Sequence, residues 1–158
     1  MILFHGTNVE FNKIEINKTK KFKDFGQGFY LTDIRSQAEE LACKRALMFG
    51  GSPIVQEYEF DETNLSSPTI NVLKFDKVSA EWANFIYNNR SRLPKPFKHN
   101  YDIVIGPIAD DGVAYLLGRY EEGSYTLDDL AKELEYKKLN SQYYFGTQKA
   151  INLLKRIK

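Results

Sequence analysis

The chain has 158 residues, 42% of them apolar and 27% charged, which describes one folded domain with a sizeable core and excludes a disordered or membrane-embedded segment. Its formal charge of +1 excludes a protein that holds nucleic acid by bulk electrostatics, although nucleic acid stays open as a transient substrate. The one cysteine, Cys43, leaves no intrachain disulfide and no cysteine-based zinc site, and with no leader before Phe4 the expected compartment is the cytoplasm, without a membrane partner.

Met1 to His5 is an apolar run that stops at Gly6-Thr7-Asn8, which predicts a buried strand ending in a turn with His5 at its end. Residues 9 to 23 are polar and carry Lys13, Lys18, Lys20, Lys21 and Lys23, a solvated loop or an electropositive approach to a phosphate-bearing ligand. The stretch Asp24-Phe25-Gly26-Gln27-Gly28-Phe29-Tyr30-Leu31-Thr32 passes through two glycines and enters a short apolar strand. Locally that reads as a tight turn into the core. It also suits a backbone that comes close to a ligand and then sets a flat ring beside it.

Thr32 or Asp33 is placed to cap a helix whose apolar positions are Ala38, Leu41, Ala42, Ala46 and Phe49, ended by Gly50-Gly51. Cys43 within it reads as buried and inert. Ile54 to Phe60 alternates as a half-exposed strand, with Tyr58 and Phe60 on one face, and Ile70 to Phe75 predicts a further short strand. Ser79 opens a helix through Trp82, Phe85 and Ile86 that ends near Asn88-Asn89. A basic extended loop with Pro94 and Pro96 follows, and His99 within it receives no role.

Tyr101 to Pro107 is the clearest buried strand. Asp110 and Asp111 then either cap a helix over Val113 to Tyr120 or place carboxylates near a strand end. Thr126 opens a helix through Leu127, Leu130, Leu134 and Tyr136. Gln142 to Gly146 predicts the last strand, and Thr147 caps a last helix carrying Ala150, Ile151, Leu154 and Ile157. The order of elements predicts an α+β domain, 1–158, with the strands in a central sheet or split sandwich.

Neither a Walker loop nor a Rossmann fingerprint is present, because Gly26-x-Gly28 lacks both the Gly-Lys-Ser/Thr ending and a third glycine. His5 and His99 have no metal-ligand spacing, so no metal is expected. What remains is one polar or aromatic group at each of three strand boundaries: His5, Tyr30 and Gln142.

These three lie in Phe4-His5-Gly6-Thr7, Gly28-Phe29-Tyr30-Leu31-Thr32 and Gln142-Tyr143-Tyr144-Phe145, and together the segments resemble the three motifs of the NAD-dependent ADP-ribosyltransferase superfamily. More narrowly, with Asp102-Ile103-Val104-Ile105-Gly106-Pro107-Ile108-Ala109-Asp110-Asp111, the chain resembles a bacterial family of small stand-alone domains in that superfamily. The resemblance implies a split β-sandwich core around an NAD cleft. His5 would bond the adenosine-side ribose, the Gly6 backbone with Thr7 beside it would receive the nicotinamide amide, and Tyr30, brought in by Gly26, Gly28 and Phe29, would stack on the nicotinamide ring. Gln142 stands where the superfamily usually has a Glu, which favours transfer of a single ADP-ribose and leaves an anionic role that Asp110 or Asp111 could fill. NAD would be the co-substrate, a protein or nucleic acid the acceptor, and an antitoxin protein a partner. The alternatives are a degenerate module that binds NAD or a nucleotide without turnover, and an NAD glycohydrolase.

Overall fold

Two sheets meet at a bridge between Phe4 and Thr32, and the rest of the molecule is packed around that junction. The computed structural model describes residues 1–92, 95–134 and 140–158. The first sheet is antiparallel, in the order β1 (Ile2–Thr7), β3 (Ile54–Phe60) and β7 (Leu154–Arg156). The second runs β2 (Phe29–Leu31), β6 (Ser141–Phe145), β5 (Ile103–Pro107) and β4 (Val72–Lys74), with β4 and β5 parallel and the other pairs antiparallel. Phe4 and Thr32 join the sheets by exchanging N–H···O bonds of 2.7 and 3.0 Å. The α+β class expected from the sequence is the one observed.

Strand alternation assigns each side chain to one of two cores. Ile103 and Ile105 of β5 face Leu3, Tyr58, Phe60 and Phe145 between the sheets. Val104, between them, faces Trp82, Ile86, Val113, Leu117 and Leu130 of the helical layer. That layer is α2 (Ala80–Arg90), α3 (Asp111–Glu121) and α4 (Leu127–Leu134). Phe60 and Phe145 meet edge to face at 5.4 Å, an arrangement that contributes about 1 kcal/mol beyond burial. Trp82 is fully buried, and its indole N–H donates to the Pro107 carbonyl at 3.0 Å.

The caps fall largely where the sequence puts them. Ser79 accepts from the Trp82 amide, Asp110 from Val113, Thr126 from Asp129 and Thr147 from Ala150. Several boundaries differ. β1 runs through Gly6 and Thr7, so His5 lies inside the strand and not at its end. The expected strand from Ile70 to Phe75 is confined to β4, and α2 extends to Arg90. The first helix, α1 (Arg35–Phe49), is preceded by Ile34 in extended conformation, so neither Thr32 nor Asp33 is its N-cap.

Only Ala38 and Ala42 of α1 are buried; Leu41 and Phe49 are exposed and so is Cys43, contrary to the expected core stripe. The physical reason is how closely the helix lies on β1. A Cβ at Gly6 would sit 2.1 Å from the Ala38 carbonyl oxygen, so the contact is backbone to backbone and admits only alanines. The last helix also differs. After α5 (Gln148–Ile151) the chain turns and adds β7 to the edge of β3, which places Leu154 in a strand and leaves Ile157 exposed. Pro94 and Tyr136 lie outside the described residues.

Candidate functional site

The site begins where the two sheets separate. Phe4 uses its N–H and C=O on Thr32, and by the two-residue repeat of a strand Gly6 directs its own N–H and C=O to that same edge. Tyr30 stands across the gap. His5 spans it, with Nδ1 donating to the Tyr30 carbonyl at 2.8 Å. A carbonyl can only accept, so Nδ1 holds the hydrogen and Nε2 of the neutral ring is an acceptor. Burial pushes the imidazole down to about 4, which keeps it neutral at physiological pH. Its ring lies on Phe29 at 4.4 Å between centroids, with Phe11 edge-on at 5.7 Å.

Tyr30 is held by the loop that precedes it. Its hydroxyl donates to the Gly26 carbonyl at 2.7 Å and accepts from the Phe25 amide at 2.9 Å. Burial raises its pKa, so the phenol remains protonated and a donor. The Lys23 ammonium lies 3.9 Å from the ring centroid, and burial lowers that lysine to about 8. Tyr144 meets the same ring edge-on at 5.3 Å. The Tyr30 ring thus has a face that already accommodates a cation.

Gln142 is buried on β6, opposite Gly106. Its Nε2 donates to Asp24 Oδ2 at 3.0 Å and more weakly to the Pro107 carbonyl at 3.4 Å. Asp24 is fixed in turn by Arg90, whose Nε and Nη2 lie 2.7 and 2.5 Å from Oδ1. Arg90 closes the C-terminal end of α2, so the network ties the loop, the helical layer and the second sheet together.

Two adjoining hollows open around these groups. One, of 830 Å³, is lined by Gly6, Tyr30, Thr32, Ile108 and Gln142 with the side of α1. The other, of 750 Å³, is lined by His5, Thr7, Phe11, Phe29, Lys20 and Arg45 among others. Lys23, Tyr30, Leu41 and Lys44 line both, so the hollows meet at the ammonium–ring contact. The first offers an aromatic face, backbone donor and acceptor groups and a side-chain amide. The second offers aromatic rings, a neutral imidazole and cations, the groups that suit a base, a ribose and phosphates.

His5, Gly6, Tyr30 and Gln142 therefore come together from three distant segments, with Thr7 and Phe29 beside them. Gly26 and Gly28 both make close approaches to the protein's own side chains. Gly26 has φ 99°, a conformation side chains rarely take, and a Cβ on Gly28 would lie 2.3 Å from the Tyr144 ring. Both glycines accommodate protein packing, and Gly28 also borders the second hollow. Asp110 caps α3 and Asp111 lies exposed in its first turn. The carboxylate that meets Gln142 is instead that of Asp24. From the sequence Asp24 has no role of its own beyond its place in the motif, and Arg90, with Arg92, Lys95 and Lys98, reads there as a phosphate contact or a solvated surface. Asp24 does stand in the glycine stretch itself, but the pairing with Gln142 spans 118 positions and leaves no periodic trace.

A family model described as a protein of unknown function (DUF3990) matches residues 1–156. No curated protein and no solved structure matches the chain.

Proposed function

We propose that this chain, which belongs to the DUF3990 family, is an NAD-dependent mono-ADP-ribosyltransferase acting on a macromolecule. The observation that carries the reading is the convergence of His5, Gly6, Tyr30 and Gln142 on two adjoining hollows that meet at Tyr30. The nicotinamide end would occupy the first hollow. Its carboxamide pairs with the Gly6 N–H and C=O, and its cationic ring replaces the Lys23 ammonium on Tyr30. The adenosine end would occupy the second, with His5 Nε2 accepting from a ribose hydroxyl and Lys20, Lys44 and Arg45 near the diphosphate.

In the reaction, the bond between ribose C1′ and the nicotinamide nitrogen breaks and its electron pair leaves with the nicotinamide, which becomes neutral. The oxocarbenium-like centre left at C1′ is then attacked by a lone pair of the acceptor, whose proton passes to solvent. Groups that accept from the ribose or present negative potential to C1′ stabilise this state more than the ground state. Gln142 Oε1 is such a group.

Incubation with labelled NAD and cell lysate tests the reading. Label on a macromolecule together with free nicotinamide supports it. No label and no nicotinamide from a folded protein overturns it. Free ADP-ribose alone would make the chain an NAD glycohydrolase, with water as the acceptor. The uncharged Gln142 and the ammonium already resting on Tyr30 favour, as a second reading, a module that binds NAD or a nucleotide without turnover. The acceptor class, protein or nucleic acid, is left to mass spectrometry of the labelled species. An antitoxin partner and a cytoplasmic location are proposed by analogy with small domains of the superfamily that the chain resembles.

A further inference from the structure

Gln142 has two amide hydrogens and one oxygen, and the surroundings decide how they are arranged. Nε2 faces two groups that can only accept, the Asp24 carboxylate at 3.0 Å and the Pro107 carbonyl at 3.4 Å. Turning the amide over would set Oε1 against both, oxygen to oxygen, one of them charged. Oε1 is therefore left to the hollow that Gln142 lines. Asp24 is itself fixed, 13% exposed, by the two-nitrogen contact from Arg90 to Oδ1, which leaves Oδ2 for Gln142.

We propose that Asp24 is the positioning residue of this site: it holds the Gln142 amide with Oε1 towards the cleft and supplies, one hydrogen bond behind, the negative charge that the amide lacks. The proposal rests on the transferase reading above. A hydrogen bond to a carboxylate polarises the amide and makes its oxygen a stronger acceptor, and in a partly dry site that effect is larger than in water. Arg90 keeps the carboxylate in place and offsets part of its charge, so the potential at C1′ is weaker than that of a glutamate side chain at position 142.

The test uses the full chain and three variants, Asp24→Asn, Gln142→Glu and the double variant. In Asp24→Asn the shape is kept, but one oxygen must serve both Arg90 and Gln142, and the amide at 142 can turn. Nicotinamide release should fall roughly 10- to 100-fold, while the Kd for NAD changes less than about threefold, because ground-state binding is carried by Gly6, Tyr30 and His5. Gln142→Glu alone sets two carboxylates together and should be as poor or poorer. In the double variant the amide introduced at position 24 donates to the carboxylate introduced at position 142, and most of the rate should return.

A second readout is independent of turnover. The side-chain amide resonances of Gln142 in a proton–nitrogen correlation spectrum should be resolved and slow to exchange in the wild type, and collapse toward free-amide values in Asp24→Asn. An unmoved Gln142 resonance overturns the positioning role. So does a double variant no better than Asp24→Asn, since a purely structural ion pair gives no such rescue. Absence of nicotinamide release from the wild type, with the Gln142 resonance still responding to Asp24→Asn, overturns the transferase reading and not the Asp24–Gln142 bond.

Discussion

The hydroxyl of Tyr30 closes on Gly26, donating to its carbonyl at 2.7 Å while accepting from the Phe25 amide at 2.9 Å. The ring that faces both hollows is thus fastened by the glycine loop four residues before it. Tyr30→Phe keeps the ring and orphans two partly buried backbone groups, which should cost about 1–3 kcal/mol in urea unfolding. Tyr30→Ala removes the ring as well. We expect Tyr30→Phe to weaken NAD binding modestly, through a looser loop, and Tyr30→Ala to abolish it in calorimetric titration. Equal binding by wild type and Tyr30→Ala would exclude stacking.

The neutral imidazole of His5 gives stability a definite dependence on pH. Its folded-state value is about 4 against an ordinary 6.5, so between those pH values the unfolded chain binds a proton that the folded chain does not. Stability then rises with pH across that window, by about 1.4 kcal/mol per unit from this group, and is lost on acidification toward pH 4. His5→Gln cannot titrate and should lose less stability than the wild type between pH 6.5 and 4.5. Parallel slopes in urea unfolding would show that His5 is not held neutral. NAD binding should show no loss from protonation of His5 between pH 7 and 5.5, because Nε2 remains an acceptor throughout.

The strands of this fold are legible in the sequence, and the reasons for the exceptions are physical. Ile54 to Phe60 carries its burial in alternation and appears as read, and of the run expected from Tyr101 to Pro107 the part from Ile103 onward forms the strand. Leu154 fits a helical spacing with Ala150 and Ile151 equally well, but pairing with Phe60 on an open strand edge decides for β7. In α1 the sequence shows a full apolar stripe, yet Gly6 brings the helix so close to β1 that only Ala38 and Ala42 reach the core. His5, Tyr30 and Gln142 are legible as a set because each sits in a recognisable segment. The Asp24–Gln142 bond and the seat of Lys23 on Tyr30 come only from what folding sets together.

Lys23 stands where a ligand cation would stand. Its ammonium is 3.9 Å from the Tyr30 centroid, so a pyridinium ring must displace it and overcome its charge. The probe is 1-methylnicotinamide, a pyridinium cation without phosphates. Lys23→Met should bind it about 3- to 10-fold more tightly than the wild type, the scale of a cation–π contact of roughly 1 kcal/mol. Since burial places Lys23 near 8, wild-type affinity for this probe should rise from pH 7 to 9 as the ammonium loses its proton. The Lys23→Met variant should show no such rise. Identical pH profiles would mean that Lys23 does not guard the ring.

Gly6 separates the packing of the fold from the chemistry of the site. A Cβ there would lie 2.1 Å from the Ala38 carbonyl oxygen and 3.0 Å from the Ala42 nitrogen, both backbone atoms of α1, so the helix must move as a unit. Gly6→Ala should therefore lose about 1–3 kcal/mol of stability, the range for forcing extra volume into a packed interior. Gly118 provides the contrast, in α3 with nothing within 4 Å of its added Cβ. Gly118→Ala should gain about 0.5–1 kcal/mol, because alanine restricts the unfolded chain and favours the helix. Because α1 carries Leu41 and Lys44, which line both hollows, Gly6→Ala should also weaken NAD binding, whereas Gly118→Ala should leave it unchanged. If Gly6→Ala melts with the wild type and binds NAD equally well, β1 and α1 are not locked together, and α1 is not the wall that sets the width of the cleft.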